Sequence, residues 1–185
     1  MTPTLYQTLL GAAFFRLPDG LRALHGVHGT ARYAGEVTVV RGTGLLARLC
    51  ARLAGMPRPM TGAPITIDFA SGPKGEVWSR VFGTPPKASR LRSRLSQRDG
   101  QLRERIGPVH FRFVLHTWDG TIFWNVAGAR LLGVLPLPAA LFRDIRCSER
   151  EVDGRYVFDV EAALPLAGHV VRYHGWLRPE GDIAA

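Results

Sequence analysis

From Ile65 onward, apolar and polar positions alternate with a period of two, and turn residues punctuate the alternation. The clearest stretch runs from Gly107 to Pro138, where Asp119-Gly120 sits between two alternating runs. A two-residue type I′ turn needs positive φ at both central positions, and Asp-Gly supplies it. This turn sets Phe113 opposite Val126, Leu115 opposite Trp124 and Thr117 opposite Ile122. Phe111, Phe113, Leu115, Ile122, Trp124 and Val126 then share a face, which is the inward one. His110, Arg112, His116, Phe123 and Asn125 point outward.

Two further Asp-Gly pairs predict two more hairpins. Asp99-Gly100 sets Arg94 opposite Arg105 and Ser96 opposite Arg103. Like charges placed directly opposite are destabilising, so this face calls for solvent, acidic neighbours or an anionic ligand. Asp153-Gly154 sets Arg146 opposite Glu161, Ser148 opposite Asp159 and Glu149 opposite Phe158; the first pair is complementary in sign. Ile65, Ile67 and Phe69 alternate with Thr66 and Asp68, and the SGPKG loop then turns the chain into EVWSRVF. Two prolines exclude Leu131 to Pro138 from a central strand, and Ala139 to Phe142 suffices for one helical turn. A last strand, His169 to Leu177, puts Val171, Tyr173 and Leu177 on one face.

Helical periodicity is confined to the first third. Thr4 caps a first helix with Leu5, Leu9 and Ala13 on one stripe and Leu10, Phe14 and Leu17 on the next; Pro18 ends it. Asp19 to Leu24 predicts a short helical turn. Thr30 to Val40 is a strand with Ala31, Tyr33, Val37 and Val39 on one face. Leu45 to Ala54 is a helix stopped by Gly55 and Pro57, with Leu45, Leu49 and Leu53 on one side and Arg48 and Arg52 on another. Such a helix suits a membrane surface, but at barely three turns a lid packed on the sheet is the favoured expectation.

These elements predict an α+β fold, mostly antiparallel β, with about nine to ten strands in a strongly curled sheet or barrel. N-terminal helices and a short helical lid complete it. An open sheet of that size would leave costly edges. A strand, a helical lid and a long meander is also the plan of small lipid-binding barrels. The alternative is a helix-grip sheet, in which the N-terminal helix would fill the role of the usual last helix. A single domain over 1–185 is expected: a helical segment 1–29, the strand, lid and meander 30–178, and a loose tail 179–185.

The 185 residues are 46% hydrophobic and 21% charged, which is ordinary globular material. No apolar run reaches the roughly 18 residues of a transmembrane helix. The start, MTPTLYQTLL, lacks the basic region and cleavage site of a signal peptide, so a cytoplasmic location is expected. The net charge of +9 and pI near 10.7 invite a nucleic-acid reading. Lys74 and Lys87 are the only lysines, however, and the arginines are spread along the chain; this is the bias of a GC-rich coding sequence, and nucleic acid is not the expected partner. Cys50 and Cys147 have no metal or redox spacing and are expected as buried free thiols.

Candidate chemistry is sparse. His25 and His28 have H-x-x-H spacing among glycines with no third ligand nearby, so a loop pair is expected and no metal. His110, Arg112 and His116 face outward without a nucleophile or carboxylate beside them. SGPKG lacks the G-x-x-x-x-G-K-[ST] spacing of a phosphate loop, and no cofactor is expected. Glu104 and Glu149 are the exceptions, because the registers place both carboxyls among apolar residues.

The segments LYQTLLGAAFFRLPDGLRALHG, WSRVFG from Trp78 to Gly83, RERIGPVHFRF, LLGVLPLP and RYHGWLRP resemble, in this order and over almost the whole chain, an uncharacterised bacterial family called domain of unknown function 4166. The resemblance brings no established activity and no catalytic residues. It implies an accessory or ligand-holding role, because members occur alone or fused behind NAD(P)-binding oxidoreductase-like domains. This chain has no G-x-G-x-x-G and is not itself that dinucleotide-binding part.

Three functions are weighed. The favoured one is a non-catalytic module holding a small apolar or lipid-like molecule, lined by Phe111, Phe113, Trp124, Tyr156 and Tyr173, with Glu104 and Glu149 as polar fixtures. The second is an enzyme using an inward Glu104 or Glu149 as general acid or base. The third is an interaction domain docking on an oxidoreductase or an anionic surface through Arg92, Arg94, Arg103 and Arg105. An interior cavity on the order of hundreds of Å3 would favour the first, and a close-packed interior the third.

Overall fold

A computed structural model describes residues 2–180. Eleven strands follow in chain order: β1 Gly29–Arg41, β2 Met60–Gly72, β3 Gly75–Phe82, β4 Ser89–Arg98, β5 Gln101–Ile106, β6 Val109–Trp118, β7 Thr121–Leu131, β8 Leu135–Leu137, β9 Asp144–Val152, β10 Arg155–Leu164 and β11 Gly168–Pro179. From β1 to β7 each strand pairs with the next, β7 pairs with β9, and β9, β10 and β11 continue the meander. β11 then pairs with β1. Ten antiparallel strands therefore close a barrel, and β8 hangs on β7 as an extra edge strand. Full closure removes the edges that an open sheet of this size would expose. Pro136 and Pro138 explain why β8 stays outside the ring.

The predicted registers hold at all three Asp-Gly turns. Phe113 faces Val126, Arg94 faces Arg105, and Glu149 faces Phe158. Asp99, Asp119 and Asp153 have φ of 56°, 46° and 51°, and each is followed by a glycine of positive φ, as type I′ geometry requires. Above the Asp119-Gly120 hairpin the register shifts once, so that Phe111 meets Ala129.

The ring has two distinct ends. The β2–β3, β4–β5, β6–β7 and β9–β10 turns lie at one end, together with the segment that leads into β1. Helices α1 (Leu5–Leu10) and α2 (Asp19–His25) plug this end, with Tyr6, Leu21 and His25 fully buried. The first helix is shorter than its stripe predicts. Gly11 takes a φ of +54° and stops α1 after Leu10, and a 3-10 turn over Gly11–Arg16 carries Phe14 to the core instead.

At the other end lies α3 (Leu45–Leu53), between β1 and β2, and the face it packs is not its leucine stripe. Ala47 and Ala51 are the buried residues of α3, while Leu45, Leu46, Leu49 and Leu53 are 52–82% exposed. The small face fits because the backbone comes close. A Cβ built on Gly42 would lie 2.9 Å from the Ala47 Cβ, leaving no depth for a leucine. The expected loose tail also begins too early, since β11 runs to Pro179; residues 181–185 lie outside the described part.

Candidate functional site

The plugged end is built by local capping. The Thr4 hydroxyl accepts from the Gln7 amide at 3.3 Å, and the Gln7 side chain accepts from the Thr4 amide at 2.9 Å, a complete capping box. The same hydroxyl donates to the His25 carbonyl at 2.8 Å, tying α1 to the end of α2. Tyr6 and His25 are thereby stacked, with centroids 3.6 Å apart. His25 Nε2 lies 2.7 Å from Glu149 Oε2 inside the barrel. This corrects the expectation of a loop histidine pair: His25 is buried in the last turn of α2, whereas His28 is exposed. Among the described residues no cluster of three His, Cys, Asp or Glu side chains has metal-binding placement.

Above this floor a cavity offers about 110 Å3 to the centre of a water molecule. That is room for roughly ten minimal water sites, and less than a drug-sized pocket provides. The sequence-derived lining residues Phe111, Phe113, Trp124, Tyr156 and Tyr173 all reach it, as do Glu104 and Glu149. Phe142, from the 3-10 turn Ala139–Phe142, packs edge-on against Phe111 at 5.7 Å. Met56, in the segment after α3, lines the cavity from the lid end.

The interior is more highly charged than the sequence suggested. Arg80 is 7% exposed; it donates to Ser93 Oγ at 2.9 Å, lies 3.9 Å from Glu104 and stands 4.9 Å over the Trp78 ring. Glu76 is also buried and accepts from Trp78 Nε1 at 2.9 Å. Arg80 and Glu76 were not singled out from sequence, and His25 was read only as a loop residue. A signal existed in EVWSRVF: pairing of Phe69 with Trp78 forces Glu76, Trp78, Arg80 and Phe82 onto the inward face.

Burial raises the Glu104 carboxyl above the usual range, against the pull of Arg80 and Ser93. It raises Glu76 too, opposed by the Trp78 hydrogen bond and by His25. Burial, and after it the charge of Glu149, pushes the phenols of Tyr6 and Tyr156 well above their ordinary value. The Cys147 thiol, which also lines the cavity, is raised by burial and is therefore no thiolate at neutral pH. Trp124 Nε1 is buried without a hydrogen-bond partner on the same wall. The arrangement offers aromatic surface, a guanidinium and a carboxyl whose charged form burial disfavours.

On the outside, Arg92, Arg94 and Arg105 are exposed and Arg103 is half-buried. The pairing extends their row beyond the expected patch, because Arg105 faces His110 and His110 faces Arg130. Asp99 is the acidic neighbour, 3.5 Å from Arg103. His116 is exposed and shares a 3.0 Å hydrogen bond with Asn125, so it takes no part in the interior.

A family model described as domain of unknown function 4166 matches residues 17–177. No curated protein matches the chain.

Proposed function

We propose that this chain, which belongs to the family domain of unknown function 4166, holds one small, largely apolar molecule inside its barrel. The carrying observation is an aromatic cavity of about 110 Å3 whose lining includes the buried polar side chains Arg80 and Glu104. Apolar lining with a few convergent polar groups is the usual composition of a small-molecule site. The volume favours a slim chain or a single ring with one polar end. Fluorescence of Trp78 and Trp124 reports on occupancy directly, since both rings line the space. Titration with short fatty acids and simple aromatic probes should give saturable changes that Cys147→Phe abolishes by filling the cavity. A response to none of them sinks the proposal.

A second reading is favoured by the raised carboxyl of Glu104, which would serve as a proton donor to a bound molecule. Glu149 would then act beside it, held by His25 at 2.7 Å. A substrate screen followed by Glu104→Gln and Glu149→Gln separates this from passive binding: unchanged turnover and pH profile in both variants would remove it. An accessory role beside an NAD(P)-dependent oxidoreductase, implied by the family resemblance, is compatible with either reading and is tested by co-purification with such an enzyme.

A further inference from the structure

We infer that the lid end of the barrel docks on an anionic lipid bilayer, with α3 lying in the interface. This rests on the outer surface of that end and stands independently of what the cavity holds.

The first observation is the inverted helix. With 100° per residue, the four leucines of α3 span about one solvent-facing quadrant, Arg48 and Arg52 border it on one side, and the alanines face the barrel. An apolar stripe bordered by arginines, turned away from the protein, is the arrangement of a helix that rests in a membrane interface. The second is that other exposed apolar side chains share this end. Leu132, Val134 and Leu135 project from the β7–β8 turn, and Leu166 in the β10–β11 turn is 97% exposed. A Cβ built on Gly44, at the start of α3, would lie 3.9 Å from the Ala167 carbonyl oxygen, which places Leu166 beside the helix.

The third observation is charge. The lid-end connections, 42–59, 83–88, 107–108, 132–143 and 165–167, contain Arg48, Arg52, Arg58, Lys87 and Arg143 and no Asp or Glu. Arg105 and Arg130 lie just below them, with Asp144 at the start of β9 as the acidic residue next to Arg143. The acidic turn residues Asp99, Asp119 and Asp153 are all at the plugged end. The barrel thus presents a positive, leucine-studded end opposite an end with acidic turns. A surface of anionic headgroups over acyl chains complements both properties at once, since arginines near such a surface and leucines below it are each favourable.

Flotation with two vesicle compositions tests this: phosphatidylcholine alone, and phosphatidylcholine with about one third phosphatidylglycerol. The whole chain should float with the anionic vesicles, release with added salt, and bind neutral vesicles much more weakly. Leu49→Gln with Leu53→Gln, and separately Arg48→Glu with Arg52→Glu, should each weaken binding by about 10-fold or more. Lys74→Glu at the plugged end should change it little. All substituted side chains are exposed or partly so, and thermal unfolding checks that the variants stay folded. Failure to bind anionic vesicles, or binding unaffected by either pair of substitutions, overturns the inference. So does a concentration-dependent dimer that the leucine substitutions dissolve while vesicle binding is absent, because the face then serves a second copy. Apolar-probe fluorescence that survives in the α3 variants would show that the surface failed, not the cavity.

Discussion

His25 Nε2 and Glu149 Oε2 are 2.7 Å apart, joining the last turn of α2 to the middle of β9 inside the barrel. The pair pins the N-terminal plug to the wall. His25→Ala strips the buried Glu149 of this partner and removes the ring stacked on Tyr6. A loss of about 1–3 kcal/mol is expected in chemical denaturation, because a buried hydrogen-bonding group loses one partner and keeps only Tyr156. Glu149→Gln keeps a hydrogen-bonding group and should cost less. A loss under about 1 kcal/mol for His25→Ala would mean that the plug is held by packing alone.

Glu76 predicts a pH dependence of opposite sign to ordinary acid denaturation. Its carboxyl is raised in the folded state, chiefly by burial, so the native form binds more protons than the unfolded form above the reference value of 4.5. Its contribution to stability is therefore undiminished below that value and is lost as pH rises through the folded pKa. Glu76→Gln removes this loss while leaving an acceptor for the Trp78 indole. The variant should gain stability over the native chain at neutral pH, and the gain should shrink as pH falls toward 4.5. Melting temperatures across pH 4–8 read the difference directly.

The inversion of α3 makes its alanines more sensitive than its leucines. Ala51→Leu forces a large side chain between helix and barrel and should cost about 1–3 kcal/mol. Leu49→Gln, at an exposed site, should stay within about 0.5 kcal/mol of the native chain. The reverse ranking in thermal melts would place the leucine face against the barrel.

Gly35 and Gly175 sit diagonally across the β1–β11 seam. A Cβ on Gly35 would lie 1.8 Å from the Trp176 carbonyl oxygen, and one on Gly175 2.0 Å from that of Glu36. Neither position needs an unusual φ, so the constraint is backbone approach. Gly35→Ala or Gly175→Ala must push the strands apart, and soluble yield and melting temperature should both fall sharply. Addition of a methyl on the strands' outer faces, away from these two inward positions, should not do this.

Strand alternation and Asp-Gly turns made the meander legible, down to the pairing of Glu149 with Phe158. They also placed Glu104 and Glu149 inside, because a register assigns faces without regard to side-chain type. The same rule applied to EVWSRVF would have found Arg80 and Glu76, but Val77 and Val81 offered an equally apolar alternative face. His25 was out of reach for a different reason. Its role depends on α2 folding into the barrel end, a contact 124 residues away in sequence that no local pattern encodes. For α3 the leucine stripe was legible as a face but not whether it packs, since hydrophobicity alone does not reveal the closeness of Gly42.

The pairing of β1 with β11 also sets a schedule. Tyr33 waits for Pro179 and Arg41 for Val171, so the first strand made is completed by the last. Until residue 179 has left the ribosome, β1 and β10 each offer an unpaired edge. Contacts of such long sequence separation form slowly, and the half-built ring is exposed to pairing with other chains while it waits. The arrangement that removes every edge from the finished barrel therefore concentrates its aggregation risk in the interval of synthesis. Chaperone demand should be greatest during that interval.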